Sequence, residues 1–156
     1  MVHKADLYKQ FCLGPGARIN PVFYQNSDDP DTLWDAAAQA RQQIMPEIFD
    51  KLVTPNVNSG KVSIECPGVK SRDRGDTKVM AEYGGDYARL CDIARCSIWF
   101  EDLATLKQLM DTLSPSKNPS TIGVRDNFIR PAQDSRMRRA QIFYQMPNGH
   151  IIEIQV

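Results

Sequence analysis

The stretch Ala140-Gln141-Ile142-Phe143-Tyr144-Gln145-Met146-Pro147-Asn148-Gly149-His150-Ile151-Ile152-Glu153-Ile154-Gln155-Val156 decides how the chain is read. Two runs rich in β-branched and aromatic residues flank Pro147-Asn148-Gly149, and Asn-Gly is the strongest short-range hairpin signal. Strands are predicted over 138–146 and 150–156. With Asn148-Gly149 as a two-residue turn, Glu153 faces Tyr144, and Arg138, Ala140 and Ile142 share its face of the sheet. Glu153 stands inside the apolar run Ile151-Ile152-Glu153-Ile154. A carboxylate there is costly to desolvate unless it is paired, hydrogen-bonded or bound to a cation. Taken alone, it also reads as an edge-strand carboxylate in water or as one half of a salt bridge.

Working upstream, Pro115 and Pro119 precede a predicted strand over 121–129. Leu103, Leu106, Leu109, Met110 and Leu113 mark an amphipathic helix over 101–113, whose start Glu101-Asp102 suits the helix dipole. Ile93 to Phe100 reads as a buried strand that Asp92 begins, although Asp92 reads as well as a turn residue leading into it. Residues 73–83 are helical, stopped by Gly84-Gly85, and Lys61 to Cys66 alternates as a short strand. Asp29-Pro30 starts a long helix over 30–53, bent at Pro46, and a short helix is placed near 4–12. The order is helices, then β-α-β-α-β-β-β. This predicts a single α+β domain over 1–156, with a helical part at 1–60 and a sheet core at 61–156. Its sheet should be mixed, of about five strands, with helices packed on its faces.

The chain has 156 residues, enough for a core without disulfides or metal. Nineteen basic residues balance nineteen acidic ones, which excludes coating of nucleic acid or anionic membrane by bulk positive charge. No apolar run approaches the roughly 20 residues of a bilayer span, and the start Met1-Val2-His3-Lys4 lacks a signal core. The expectation is a protein without a membrane partner, cytoplasmic or delivered into a target cell's cytoplasm. Cys12, Cys66, Cys91 and Cys96 form no C-x-x-C pair and read as small buried thiols.

The balanced charge is unevenly spread. Residues 1–60 carry five basic and seven acidic residues, and 61–156 carry fourteen and twelve. Lys70, Arg72, Arg74 and Lys78 form one basic cluster, and Arg125, Arg130, Arg136, Arg138 and Arg139 another. Such runs are usually solvated faces. The first cluster, however, runs from a loop into a helix start, where cations and free backbone N–H groups favour phosphate. Asp92 and Glu153 could hold Mg²⁺, which typically bridges carboxylates to substrate phosphates. Together these residues point to transfer on a nucleotide polyphosphate.

The series Lys70-Ser71-Arg72-Asp73-Arg74, Lys78, Glu82-Tyr83-Gly84-Gly85-Asp86, Leu90-Cys91-Asp92-Ile93-Ala94-Arg95-Cys96-Ser97-Ile98 and Asn148-Gly149-His150-Ile151-Ile152-Glu153-Ile154-Gln155 resembles the RelA/SpoT synthetase domain over about residues 60–156. The resemblance implies a nucleotidyltransferase-like mixed sheet. It also implies a pyrophosphokinase of small or toxin type, which moves the β,γ-diphosphate of ATP to the 3′-hydroxyl of a purine nucleotide to give (p)ppGpp or (p)ppApp. By position, Asp92 would be a Mg²⁺ ligand. Glu153 would help hold the metal and would position or deprotonate the hydroxyl. Lys70, Arg72, Arg74 and Lys78 would bind ATP phosphates, Arg95 would meet adenine or its phosphates, and Arg125 would contact the acceptor.

The family's Gly-Tyr motif, whose tyrosine stacks on the acceptor base, is replaced by Asp134-Ser135-Arg136-Met137-Arg138-Arg139, with Met137 at the tyrosine's apparent position. Arg136 could stack on a base and Arg138 reach phosphates, or both could be plain basic surface. The acceptor is therefore open between guanine and adenine nucleotides and the 3′ end of tRNA. A catalytically inactive nucleotide- or protein-binding relative and an RNA-contacting interaction domain stand as alternatives. An immunity protein or antitoxin is a further partner the resemblance suggests.

Overall fold

The computed structural model describes residues 22–126 and 139–156. The helix expected near 4–12, the end of the strand expected to reach 129, and Arg136, Met137 and Arg138 lie outside the described residues. Five strands form one sheet: β1 (Val62–Glu65), β2 (Arg95–Phe100), β3 (Thr121–Asp126), β4 (Ala140–Gln145) and β5 (Ile151–Gln155). Their order is β1-β2-β5-β4-β3, with β2 and β5 parallel at the centre and the other pairs antiparallel. The expected mixed five-stranded sheet is present.

Helix α1 (Pro30–Ile44) begins as its sequence dictates. The Asp29 carboxylate accepts from the Thr32 backbone N–H at 2.9 Å, and Pro30 occupies a first-turn position that needs no N–H. At Pro46, where a bend is expected, the helix widens into a π-helical stretch, Met45–Val53, and ends in the single turn Thr54–Asn56. A proline cannot donate to the carbonyl four residues back, and a wider turn accommodates its ring without breaking the helix. Helix α2 (Arg72–Glu82) is capped by Ser71 and stopped at Gly84 and Gly85, both at positive φ. Helix α3 (Leu103–Thr112) is capped by Asp102, which accepts from the Thr105 N–H at 2.7 Å.

The main core joins Leu33, Ala37, Ile44 and Ile48 of the first helical run, Val79 of α2 and Leu106, Leu109 and Met110 of α3 to one face of the sheet. That face presents Cys96, Ile98, Ile142, Tyr144, Ile152 and Ile154. Among the described residues, the opposite face carries a small cluster, Cys91, Phe143 and Ile151, against which Phe23 packs. Among the described residues, the helices are thus gathered on one side.

The β4–β5 register corrects the expected turn. Phe143, not Tyr144, pairs with Glu153, and Tyr144 pairs with Ile152. The Met146 N–H donates to His150 and the Gly149 N–H to Met146, so the connection is the three-residue loop Pro147-Asn148-Gly149 with Gly149 at φ 86°. Proline has no N–H with which to close a two-residue hairpin but suits the first central position of a turn followed by a left-handed glycine. The slip of one residue moves Tyr144, Ile142 and Ala140 into the core and leaves Glu153 sharing the open face with Phe143 and Gln141.

Candidate active site

Asp92 does not begin β2. It sits in the loop three residues before Arg95, the first residue of that strand. It is buried, and its Oδ2 accepts from two ammonium groups, Lys70 Nζ and Lys78 Nζ, each at 2.8 Å. Lys70 is fixed from both sides: its N–H donates to Ile93 O, and its carbonyl accepts from Trp34 Nε1 at 2.7 Å. Lys78 projects from α2 one helical turn beyond Arg74, so the two share a helix face. Burial works against both charges at this contact. It is outweighed: the Lys78 charge and the two hydrogen bonds hold the Asp92 carboxyl below its ordinary range, and Asp92 in turn lifts the Lys78 ammonium above its own.

The other Asp92 oxygen, Oδ1, is buried with no hydrogen-bond partner. An orphaned carboxylate oxygen costs free energy unless something electropositive meets it. Glu153 is buried on β5 directly opposite Arg95 of β2, and its N–H donates to Ala94 O. Its Oε1 accepts from Gln155 Nε2. No group of three His, Cys, Asp or Glu side chains among the described residues forms a ready-made metal cage. The donor set instead fits a hard cation such as Mg²⁺, which takes one or two carboxylates and completes its octahedron with water and phosphate oxygens. The orphaned Oδ1 of Asp92 is the position that fit rests on.

Cys91, adjoining Asp92 in the chain, is buried in the small cluster on the open face. Burial pushes its thiol up to about 12; Arg125 and Lys78 pull it down, whereas Asp92 and Glu153 add to the rise. Both carboxylates and one cation from each basic region therefore act on a single sulfur. Arg125, on β3, lies over the Phe143 ring at 5.0 Å and the Phe23 ring at 6.0 Å, on the open face. Arg95 shares that face through its register with Glu153. Arg72 is directed elsewhere: it pairs with Asp31 at 2.7 Å and lies 4.7 Å over the Trp34 ring, bracing α2 against α1. Beyond Gln155 the sheet opens into a cavity of about 520 Å³, lined among others by Ser97, Trp99, Glu101, Arg139 and Gln155.

Several residues of the site have no signal of their own in the sequence. Gln25 ties the N-terminal segment to the hairpin, donating to Leu90 O and Ile151 O and accepting from the Ile151 N–H. Tyr83 is flanked by Lys78 at 5.7 Å and Arg89 at 4.8 Å, and Arg89 Nε is buried without a partner. No pattern of spacing marks a glutamine beside Asn26 or an arginine in a short connection. Tyr83 does fall within one of the quoted motifs.

A five-stranded mixed sheet whose central parallel pair carries a buried glutamate, with a lysine-clamped aspartate in the loop before β2, defines an α+β architecture with one open sheet. No family model and no curated protein matches the chain. Solved structures share its fold. The chain superposes on the type VI effector Tas1, solved in complex with its immunity protein, with a TM-score of 0.59 and 22% identity. It superposes on a GTP pyrophosphokinase family protein from Streptococcus pneumoniae with a TM-score of 0.58 and 21% identity. These matches cover 81% and 80% of this chain but 59% and 67% of those proteins. The fold is that of RelA/SpoT-type synthetases. No helix among the described residues is long and apolar enough to cross a membrane.

Proposed function

We propose that the chain is a pyrophosphokinase that transfers the β,γ-diphosphate of ATP to the 3′-hydroxyl of a purine nucleotide. The observation that carries this reading is the buried Asp92, with two ammonium groups on one oxygen and none on the other, on a sheet that also buries Glu153. The attacking 3′-oxygen forms a bond to the β-phosphorus as the bond from that phosphorus to the α,β-bridging oxygen breaks, and AMP leaves. Glu153 orients the hydroxyl and takes up its proton at the carboxylate. Lys78 and Arg74, on one face of α2, meet phosphate oxygens and offset the charge that develops in transfer. Lys70, buried against Asp92, holds that carboxylate in place. Mg²⁺ held by Asp92 and Glu153 would supply further charge neutralisation on the phosphates. Arg95 meets the donor nucleotide and Arg125 the acceptor; Arg136, Met137 and Arg138 are proposed, from their place in the sequence alone, as further acceptor contacts. The cavity beside Gln155 falls in the roughly 300–1,000 Å³ range of small-molecule sites, large enough for a nucleoside.

The effector fold of Tas1 and its bound immunity protein support a toxin role and a protein inhibitor for this chain as well. The test is incubation with labelled ATP, Mg²⁺ and a panel of GDP, GTP, ADP, AMP and deacylated tRNA. Label should reach a purine nucleotide, and Glu153→Gln should abolish the transfer. Absence of transfer to every acceptor refutes the reading; transfer to tRNA alone replaces its acceptor.

A further inference from the structure

We propose that Gln155 is a positioning residue that aims the Glu153 carboxylate, and that Arg139 fixes Gln155 for that task. The inference rests on the reading of Glu153 given above. Gln155 Nε2 donates to Glu153 Oε1, and Gln155 Oε1 accepts from Arg139 Nη1 at 2.5 Å and from Ser97 Oγ at 3.4 Å. The Gln155 side chain is thus hydrogen-bonded to this buried carboxylate. The polarity of the amide is decided at both ends. Rotated by half a turn, it would set an N–H donor against the donors of Arg139 and an oxygen against the carboxylate.

The backbone brings the three side chains together. Gln155 and Glu153 are two apart on β5 and so point to one face, Ser97 pairs with Gln155 across the parallel β2, and Arg139 immediately precedes β4. The contact to Oε1 fixes the plane of the carboxylate and so the direction in which Oε2 is presented. The same contacts hold the wall of the cavity that Gln155 and Arg139 line. Orienting partners of this kind commonly change activity about 10- to 100-fold when they are removed.

Gln155→Glu separates positioning from mere support. It preserves size and shape and gives Arg139 a stronger acceptor, but it removes the donor to Glu153 and sets a second negative charge there. In the full chain, both Gln155→Glu and Gln155→Met should lower kcat about 10- to 100-fold, with the KM for ATP changed no more than about twofold. Wild-type kcat in Gln155→Glu overturns the proposal. A second readout needs no turnover: the Gln155 side-chain amide resonances in a ¹H–¹⁵N spectrum should move on Glu153→Ala, on the larger apolar replacement Glu153→Leu and on Arg139→Met. Resonances indifferent to all three overturn the proposal. If the wild-type chain transfers label to no acceptor, the assigned activity fails, while the amide resonances still decide the contact.

Discussion

Replacing Asp92 with asparagine removes the charge of the clamp while keeping its shape. The side chains of Lys70 and Asp92 are 8% and 11% exposed, so Asp92→Asn leaves the Lys70 ammonium buried against a neutral amide. Removing one partner of a buried ion pair typically costs about 3–5 kcal/mol. Lys78 is 26% exposed and can turn toward water, which places the expected loss near the lower end, about 3 kcal/mol. For a chain of this size that corresponds to a drop of about 6–12 °C in Tm.

Thermal unfolding at neutral pH measures it, and Lys70→Met in the Asp92→Asn background should recover part of the loss. The effect has a pH signature. The Asp92 carboxyl is lowered, so its contribution is full above the ordinary carboxylate value and disappears as pH falls through the depressed folded value. Wild type and Asp92→Asn should therefore converge in strong acid. A drop below roughly 2 °C, or a double variant no more stable than the single one, refutes the claim that the clamp holds this part of the fold.

Two further perturbations probe its supports. A Cβ at Gly75 would lie 2.4 Å from Trp34 Cζ2 and Cη2, so Gly75→Ala must displace the indole that hydrogen-bonds Lys70 O; we expect about 1–3 kcal/mol of destabilisation in denaturant unfolding. His150 is buried beside Gln25, and burial lowers its pKa from 6.5 to about 4. Below the ordinary value the unfolded chain binds a proton that the folded chain refuses. Stability should fall by about 3 kcal/mol between pH 6.5 and 4 on this account. His150→Gln should flatten that window, and a wild-type profile already flat there would contradict it.

The strands and helices were legible because each carries a local signature: the Asp29-Pro30 start, the leucine spacing of α3, the Gly84-Gly85 stop and the Asn148-Gly149 turn. The hairpin register was not, because Pro147 belongs to the turn, and a single missing N–H decided which face Glu153 shares. Glu153 stood out as a carboxylate inside an apolar run and Asp92 as the acidic residue leading into a buried strand, and the structure buries both. Spacing alone grouped Arg72 with Lys70, Arg74 and Lys78, yet the helix turns Arg72 toward Asp31 and Trp34. Two residues along a helix point about 200° apart, a distinction that charge counting does not make. Gln25 and Arg139 act through partners 126 and 16 residues away in sequence, Ile151 and Gln155 respectively, and no local pattern encodes such pairings.

The most direct measurement is the identity of the nucleotide left behind. When the protein is incubated with ATP, Mg²⁺ and a purine acceptor, we expect AMP to form one-for-one with a 3′-diphosphorylated acceptor. Neither product should appear with Glu153→Gln or Asp92→Asn. Formation of ADP in place of AMP, or AMP release that is indifferent to the acceptor and to both carboxylates, would contradict the assignment of these residues to pyrophosphate transfer.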